Sequence, residues 1–474
     1  MLVRFFVITL LVIVSFRSEA QGDIYLEQHR TVADTVAQHL WEWSELGYRE
    51  FRSAKFMSDS LAQAGFSVEL GVAGMPTAFL AEYGSGEPII ALLAEMDALP
   101  GASQAAESRE MPRADVSAGH ACGHNLFGGG VVGAALAVKD WMADAKMAGT
   151  LRVYGTPAEE GGSGKVYMVR AGLFDDVDVA LHWHPGDANQ SLAATSLANK
   201  SAKFGFDGIS SHAAAAPEMG RSALDAVEAM NYMVNMMREH VPSSTRIHYV
   251  ITEGGEAPNI VPKFAEVYYY VRAESAAELE PIWARVEQAA LGAAQGTGTK
   301  ARWEIMHGNH SLLPNTTLAM LMHDHMSALG GVVYDDDEMA FAHELKQNFR
   351  GRSATIESAE EVQPWSNEIA RMGGSTDVGD VSWVVPTHGV TTATWVPGTP
   401  AHSWAAVAAG GMSIGQKGMH LAAEVLALTA RELFVDRDKR DAIRAEFEKR
   451  RGASYQYQSL LGDRPPPLNY RGVE

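Results

Sequence analysis

The chain has 474 residues and one cysteine, Cys122, so no internal disulfide can close. Whatever it folds into is held by burial, and a chain of this length can supply a large core. The cysteine sits in His120-Ala121-Cys122-Gly123-His124. A free cysteine on its own is most often a small buried hydrophobe. A thiol two residues from an imidazole is also a candidate pair of metal ligands. The crowding of His120, His124 and Asn125 favours the second reading, because polar groups in a buried turn need partners.

Arg4, the apolar run Phe5 to Phe16 and the small residues Ser18 and Ala20 read as a secretory signal over residues 1–20. An exported protein, periplasmic or secreted, is expected, with an uncleaved anchor as the alternative. The run is short for a membrane span, and no other segment reads as one. The 38 basic and 58 acidic residues give a net charge of −20, which argues against a nucleic-acid partner.

The first part of the chain alternates helical and strand patterns. Thr31 to Leu46 has helical spacing, Ile89 to Ala94 is a continuous apolar strand, and Leu126 to Met142 is a small, apolar helix. Leu151 to Tyr154 and Val177 to Trp183 are further strands. The class is therefore α/β, a central mixed sheet flanked by helices. Residues 197–311 read differently, as β-α-β-β-α-β, the order of a ferredoxin-like module inserted between two halves of the first domain, 21–196 and 312–436. Residues 437–474, with Pro465-Pro466-Pro467, read as an extension that ends in a loosely ordered tail.

Four loops after expected strands carry the remaining chemistry: Glu95 to Pro100, Pro157 to Gly162, His182 to Pro185, and Gly398 to His402. Adjacent glutamates are usually solvated and a single histidine is usually structural. Cysteine, histidine and carboxylate delivered by five loops to one sheet edge are what a metal site requires. Neighbouring side chains diverge, so one of Glu159 and Glu160 can bind metal while the other serves as the base for metal-activated water.

The motifs GHACGHN (Gly119 to Asn125), EMDALP (Glu95 to Pro100), PAEEGGSGK (Pro157 to Lys165), HAAAAPEMGRSALDAV (His212 to Val227), GGSTDVGDVSW (Gly373 to Trp383) and GTPAHSW (Gly398 to Trp404) resemble the aminoacylase/hippuricase branch of the family-20 metallopeptidases. The resemblance implies a zinc-peptidase-like catalytic domain with two divalent ions, Zn or Mn. Cys122, His124, Glu160 and His402 match ligands, Glu159 the general base, and Asp97 the acid that orients a ligand histidine. The remaining ligand is His184 or His182, with His184 preferred because the rest of the chain follows the subtype that has histidine directly before the proline. The inserted domain resembles a dimerisation lid. His212 matches a lid histidine that reaches a neighbouring subunit's site, and Asn259 and Arg272 match positions that bind a substrate carboxylate. The implied reaction is hydrolysis of N-acyl or N-aroyl amino acids such as p-aminobenzoyl-glutamate, by a homodimer or a heteromer. A peptidase acting on true peptides and a non-catalytic partner subunit are the rival readings. His323-Asp324-His325, the G-x-S-x-G pattern at Gly411 to Gly415, the Gly161 to Lys165 stretch and the acidic turn Asp335 to Glu338 read as incidental.

Overall fold

The structure is a computed structural model that describes residues 24–349 and 354–472. The expected signal segment lies outside the described residues. The chain opens with α1 (Ile24–Trp43), α2 (Phe51–Gln63), β1 (Ser67–Leu70), β2 (Phe79–Ser85) and β3 (Ile89–Glu95). A short antiparallel pair, β4 (Leu99–Pro100) and β5 (Ala118–Gly119), leads into α3 (His124–Ala145), followed by β6 (Gly149–Thr156), α4 (Gly164–Arg170), β7 (Val179–Gly186) and β8 (Ala194–Thr195). The next block is β9 (Ala198–Asp207), α5 (Ala223–Met237), β10 (Arg246–Glu253), β11 (Phe264–Ala273), α6 (Ala276–Thr297) and β12 (Lys300–Asn309). The chain then returns through α7 (Thr316–Leu329), α8 (Asp336–Lys346), β13 (Ala370–Arg371), α9 (Val378–Ser382), β14 (Thr387–Ala393), α10 (Trp404–Gly410), α11 (Ser413–Val435) and α12 (Arg437–Arg451).

Two main sheets result. The larger has the order β1-β2-β6-β3-β7-β14, parallel from β6 to β14 and antiparallel at the β1–β2–β6 edge. Its central strand β3 explains the unbroken apolar run: Ile90, Leu92 and Ala94 pack into the core under α1, α3 and α11, and Ala91 and Leu93 pack into the core on the opposite face. The small residues of α3 bring α1 close; a Cβ on Gly129 would lie 2.7 Å from the Ala33 carbonyl oxygen. This helix is long and apolar enough to cross a membrane by composition, contrary to the sequence expectation, but it is mostly buried in the core. The second sheet, β10-β11-β9-β12, is antiparallel throughout and has its own core with α5 and α6.

Several expectations need correcting. The segment from Gly452 on is not a loose tail over the described part: Leu460 and Leu461 are buried in the two domain cores, after α12 has packed Ile443 and Phe447 inward. Asp335 to Glu338 is not a solvated turn but the capping box of α8, with Glu338 buried against Lys417. His325 is not a free surface group, because its Nε2 lies 2.9 Å from Glu432. The reading of the Gly411 to Gly415 pattern as incidental holds: Ser413 begins α11 directly after α10, not on a strand-to-helix elbow.

Candidate metal centre and active site

The Gly119 to His124 loop is shaped by its glycines. Gly123 has φ 79°, and a Cβ there would lie 2.6 Å from Pro185 Cβ, so only glycine lets the loop close on the end of β7. That closure sets Cys122 Sγ 3.4 Å from His184 Nε2. His124, the first residue of α3, directs Nδ1 to Asp97 Oδ1 at 3.0 Å, and His184 directs Nδ1 to the Pro185 carbonyl at 2.7 Å. Both rings are thus held through Nδ1, the way ligand histidines are oriented, with His184 Nε2 on the thiol and His124 Nε2 3.0 Å from Glu95 Oε2.

Three groups of side chains have ligand atoms mutually within 4.8 Å: Cys122, His124 and His184; Cys122, Glu160 and His402; and Glu95, His124 and Glu159. Cys122 is common to the first two. A divalent pair fits this donor set of thiolate, imidazole and carboxylate. Three buried atoms facing the centre make no well-formed hydrogen bond: His124 Nε2 and Glu95 Oε2, which lie 3.0 Å apart, and Glu160 Oε1, which lies 3.4 Å from His402 Nε2. Burial, with the Glu160 charge next, pushes the Cys122 thiol well up, so a cation is what would hold it as thiolate. His120, the other histidine beside the cysteine, points away, with Nε2 on the Leu40 carbonyl at 2.9 Å. His182 is in none of the three groups; its ring packs against Gly389, where a Cβ would lie 2.6 Å away.

The two glutamates sit on a loop held from several sides. Ala158 N donates to Glu50 at 2.8 Å, Glu160 N donates to Asp97 Oδ2 at 2.9 Å, and Tyr48 OH donates to the Gly162 carbonyl at 2.7 Å. Glu160 then turns to Cys122 and His402, while Glu159 turns to Glu95 and His124. Burial and the charges of Glu95, Glu160 and Asp377 hold the Glu159 carboxyl well above the usual carboxylate range, which makes it a stronger base. Glu50, beneath the loop, is pushed up to about 8 by burial and then by the Asp97 charge.

Sequence reading missed what supports this cluster. Lys165, set aside with its glycine-rich stretch, is fully buried between Glu95 at 2.6 Å and Asp377 at 2.7 Å. Asp377 also accepts the Lys165 backbone N–H at 2.9 Å. A lysine inside an apolar helix was the available signal, since buried lysine demands a paired acid.

A cavity of about 700 Å³ opens from the cluster, and the acids of its lining, Glu95, Glu159 and Glu160, all stand on the cluster side. Its far wall carries Asn199, Tyr270, Arg272, His307 and Ser375. Arg272 donates to Ser375 Oγ at 3.0 Å and lies over the Tyr270 ring, and among the described residues no ion pair to a carboxylate is formed. His212 and Asn259 do not join the cavity. They lie side by side and exposed, with Ala213 N on the Asn259 carbonyl at 3.0 Å.

Residues 91–427 match the model of peptidase family M20/M25/M40. The chain belongs to this family. It is 40% identical to a p-aminobenzoyl-glutamate hydrolase subunit of Escherichia coli K12, over 87% of this chain and 91% of that protein. It is 30% identical to the Xaa-Arg dipeptidase of Mus musculus, over 87% and 88% of the two chains. The solved aminobenzoyl-glutamate utilization protein of Klebsiella pneumoniae has the same fold, with a TM-score of 0.61 and 19% identity over 86% of this chain and 98% of that one. Membership of this family supports a hydrolase acting on amide bonds, and the structure holds three groups of side chains that could bind a metal ion.

Proposed function

We propose that the chain is a binuclear metallo-amidohydrolase that cleaves N-acyl or N-aroyl amino acids with an anionic amino-acid half. The observation that carries this reading is the thiol shared by two ligand groups, with the Glu159 carboxylate turned to Glu95 and His124 beside it. Two divalent ions, zinc or manganese, held by Cys122, His124 and His184 and by Cys122, Glu160 and His402, would supply the Lewis acidity that brings the pKa of water from about 15.7 towards ~7. Glu159 takes the proton of the attacking water and returns it to the leaving amine. Asp97 fixes the His124 ring. Arg272 presents a planar fork suited to the substrate carboxylate.

His212 and Asn259 complete the reading only across an interface. They are exposed in the inserted domain, where the neighbouring strand β10 and helix α5 also expose Tyr232, Met236, Val250 and Ile251. Such an apolar face supports pairing of inserted domains, in a homodimer or with a related chain, as the subunit naming of the E. coli relative suggests. His212 would then polarise the scissile carbonyl in the neighbouring site. Export to the periplasm or beyond is proposed from the N-terminal pattern.

The mouse relative makes a dipeptidase releasing arginine the second reading. The cavity lining speaks against it, because among the described residues no acid stands on the far wall to receive a cation. The test is a panel of benzoyl-, p-aminobenzoyl- and dipeptide-linked glutamate and arginine, assayed with metal-reconstituted protein. Glu159→Gln is expected to lower turnover by about 10²–10⁴-fold while keeping the metals. Near-wild-type turnover by that variant would sink the mechanism.

A further inference from the structure

The C-terminal segment after α12 spans both domains and ends on the catalytic loop. Tyr457 OH donates to Asp380 at 2.7 Å, and Arg170 donates to the carbonyls of Gly462 and Arg464 at 2.6 and 2.8 Å, all on the catalytic domain. Arg464 pairs with Glu304 of β12 at 2.7 Å, and Leu460 packs into the core of the inserted domain. Asn469 accepts from Arg49 at 2.9 Å. The Tyr470 ring then meets Tyr48 edge-on at 5.7 Å, and Arg471 donates to the Glu160 carbonyl.

That last contact falls on a hinge. The Glu160–Gly161 peptide is fixed on one side by Asp97, which accepts Glu160 N–H at 2.9 Å. On its other side the Gly161 N–H donates to the Glu159 carbonyl at 2.7 Å and Gly161 has φ 111°, a conformation that favours glycine, so Arg471 holds the carbonyl end of a peptide whose N–H end is already tied. A Cβ on Gly161 would lie 3.6 Å from the Tyr470 ring and 3.9 Å from Tyr270 OH, so the hinge is sandwiched between the tail and the inserted domain. The orientation of this peptide, together with the Glu160 N–H bond to Asp97, sets the direction in which Glu160 leaves the loop.

We propose that the C-terminal segment is a built-in clasp of the active site and that Arg471 is a positioning residue, locking the Glu160 carbonyl so that Glu160 stays with Cys122 and His402 and Glu159 stays free. The role assigned to the two glutamates rests on the function proposed above.

The experiment compares full-length protein, Arg471→Ala, Arg471→Lys and a chain ended at Pro467, all metal-loaded. Metal retention against a chelator is read first, without substrate. Arg471→Ala and the shortened chain should release metal about 10–100-fold more readily, the range for losing a group that orients a ligand. With substrate, Arg471→Ala should lose kcat by a similar factor with KM nearly unchanged, because the cavity wall is intact. Arg471→Lys keeps a cationic donor and should recover most of the retention. Wild-type retention and kcat in Arg471→Ala, or a lysine variant as impaired as alanine, would overturn the proposal. Metal retention is independent of turnover. A hydrolytic reading that fails through Glu159→Gln is therefore distinguishable from a clasp that fails through Arg471.

Discussion

The two sheets serve the site in different ways. The six-stranded sheet is buried on both faces, so its chemistry is confined to the ends of β3, β6, β7 and β14 and the loops that follow them. The inserted four-stranded sheet covers one face with α5 and α6 and turns the other towards the cavity. Along β11, Ala265, Val267, Tyr269, Val271 and Ala273 are buried in its core, while Tyr270 and Arg272 between them line the cavity. A sheet used at its ends needs strong internal support for closely packed charges. A sheet used on its face can change a functional side chain with little structural cost.

The largest expected effect tests the first half of that contrast. Lys165→Met leaves Glu95 and Asp377 buried without their cation, in a place where burial already pushes Asp377 up to about 6. Breaking such a pair costs about 3–5 kcal/mol. Urea unfolding of the purified variant measures it, and a loss of less than about 1 kcal/mol, the scale of an exposed pair, would show that the ion pair is dispensable. Arg272→Met tests the second half. It removes one side chain from the open face of β11, so unfolding should be nearly unchanged. The kcat/KM for an acyl-glutamate should fall by about 1.5–3 kcal/mol, the worth of a hydrogen bond to a charged group. A stability loss equal to the catalytic loss would erase the distinction between end and face.

The same contrast explains what the sequence disclosed. Residues at strand ends occur in contiguous runs after apolar strands, so Cys122, His124, Glu159, Glu160 and His184 could be gathered from the sequence, and the structure places them together. The β-α-β-β-α-β order was legible most plainly at β11, whose burial alternates with period two along its whole length. Tyr270 and His307 were missed because a residue on a sheet face has no local pattern to mark it. Glu95 was quoted in its motif, but its contact with His124 depends on tertiary closure and on Lys165, which lies 70 residues away. The tail was misread for a related reason. Proline and polar residues look like a loose end, whereas here backbone carbonyls, which no sequence pattern distinguishes, accept from Arg170.

The smallest effect asks whether the two sheets unfold as one. Each holds a buried histidine depressed to about 3 mainly by burial: His388 on β14, beside Ser191 Oγ at 3.0 Å, and His307 on β12, beside Asn199 at 2.9 Å. Next to burial, His182 adds to the depression of His388, and Arg272 and Arg471 add to that of His307. Below an ordinary histidine pKa of about 6.5 the unfolded chain takes up a proton that the folded chain refuses. Stability therefore falls as pH drops from about 6.5 towards 3, by about 1.4 kcal/mol per pH unit for each group. His388→Gln and His307→Gln should each remove one such slope, read as the change in urea midpoint between about pH 7 and about pH 4.5. If the sheets form one cooperative unit, either substitution flattens a single transition and the double variant flattens it twice as much. If the inserted domain melts independently, His307→Gln will move only an early transition that His388→Gln leaves in place, and the face-used sheet will prove separable from the end-used one.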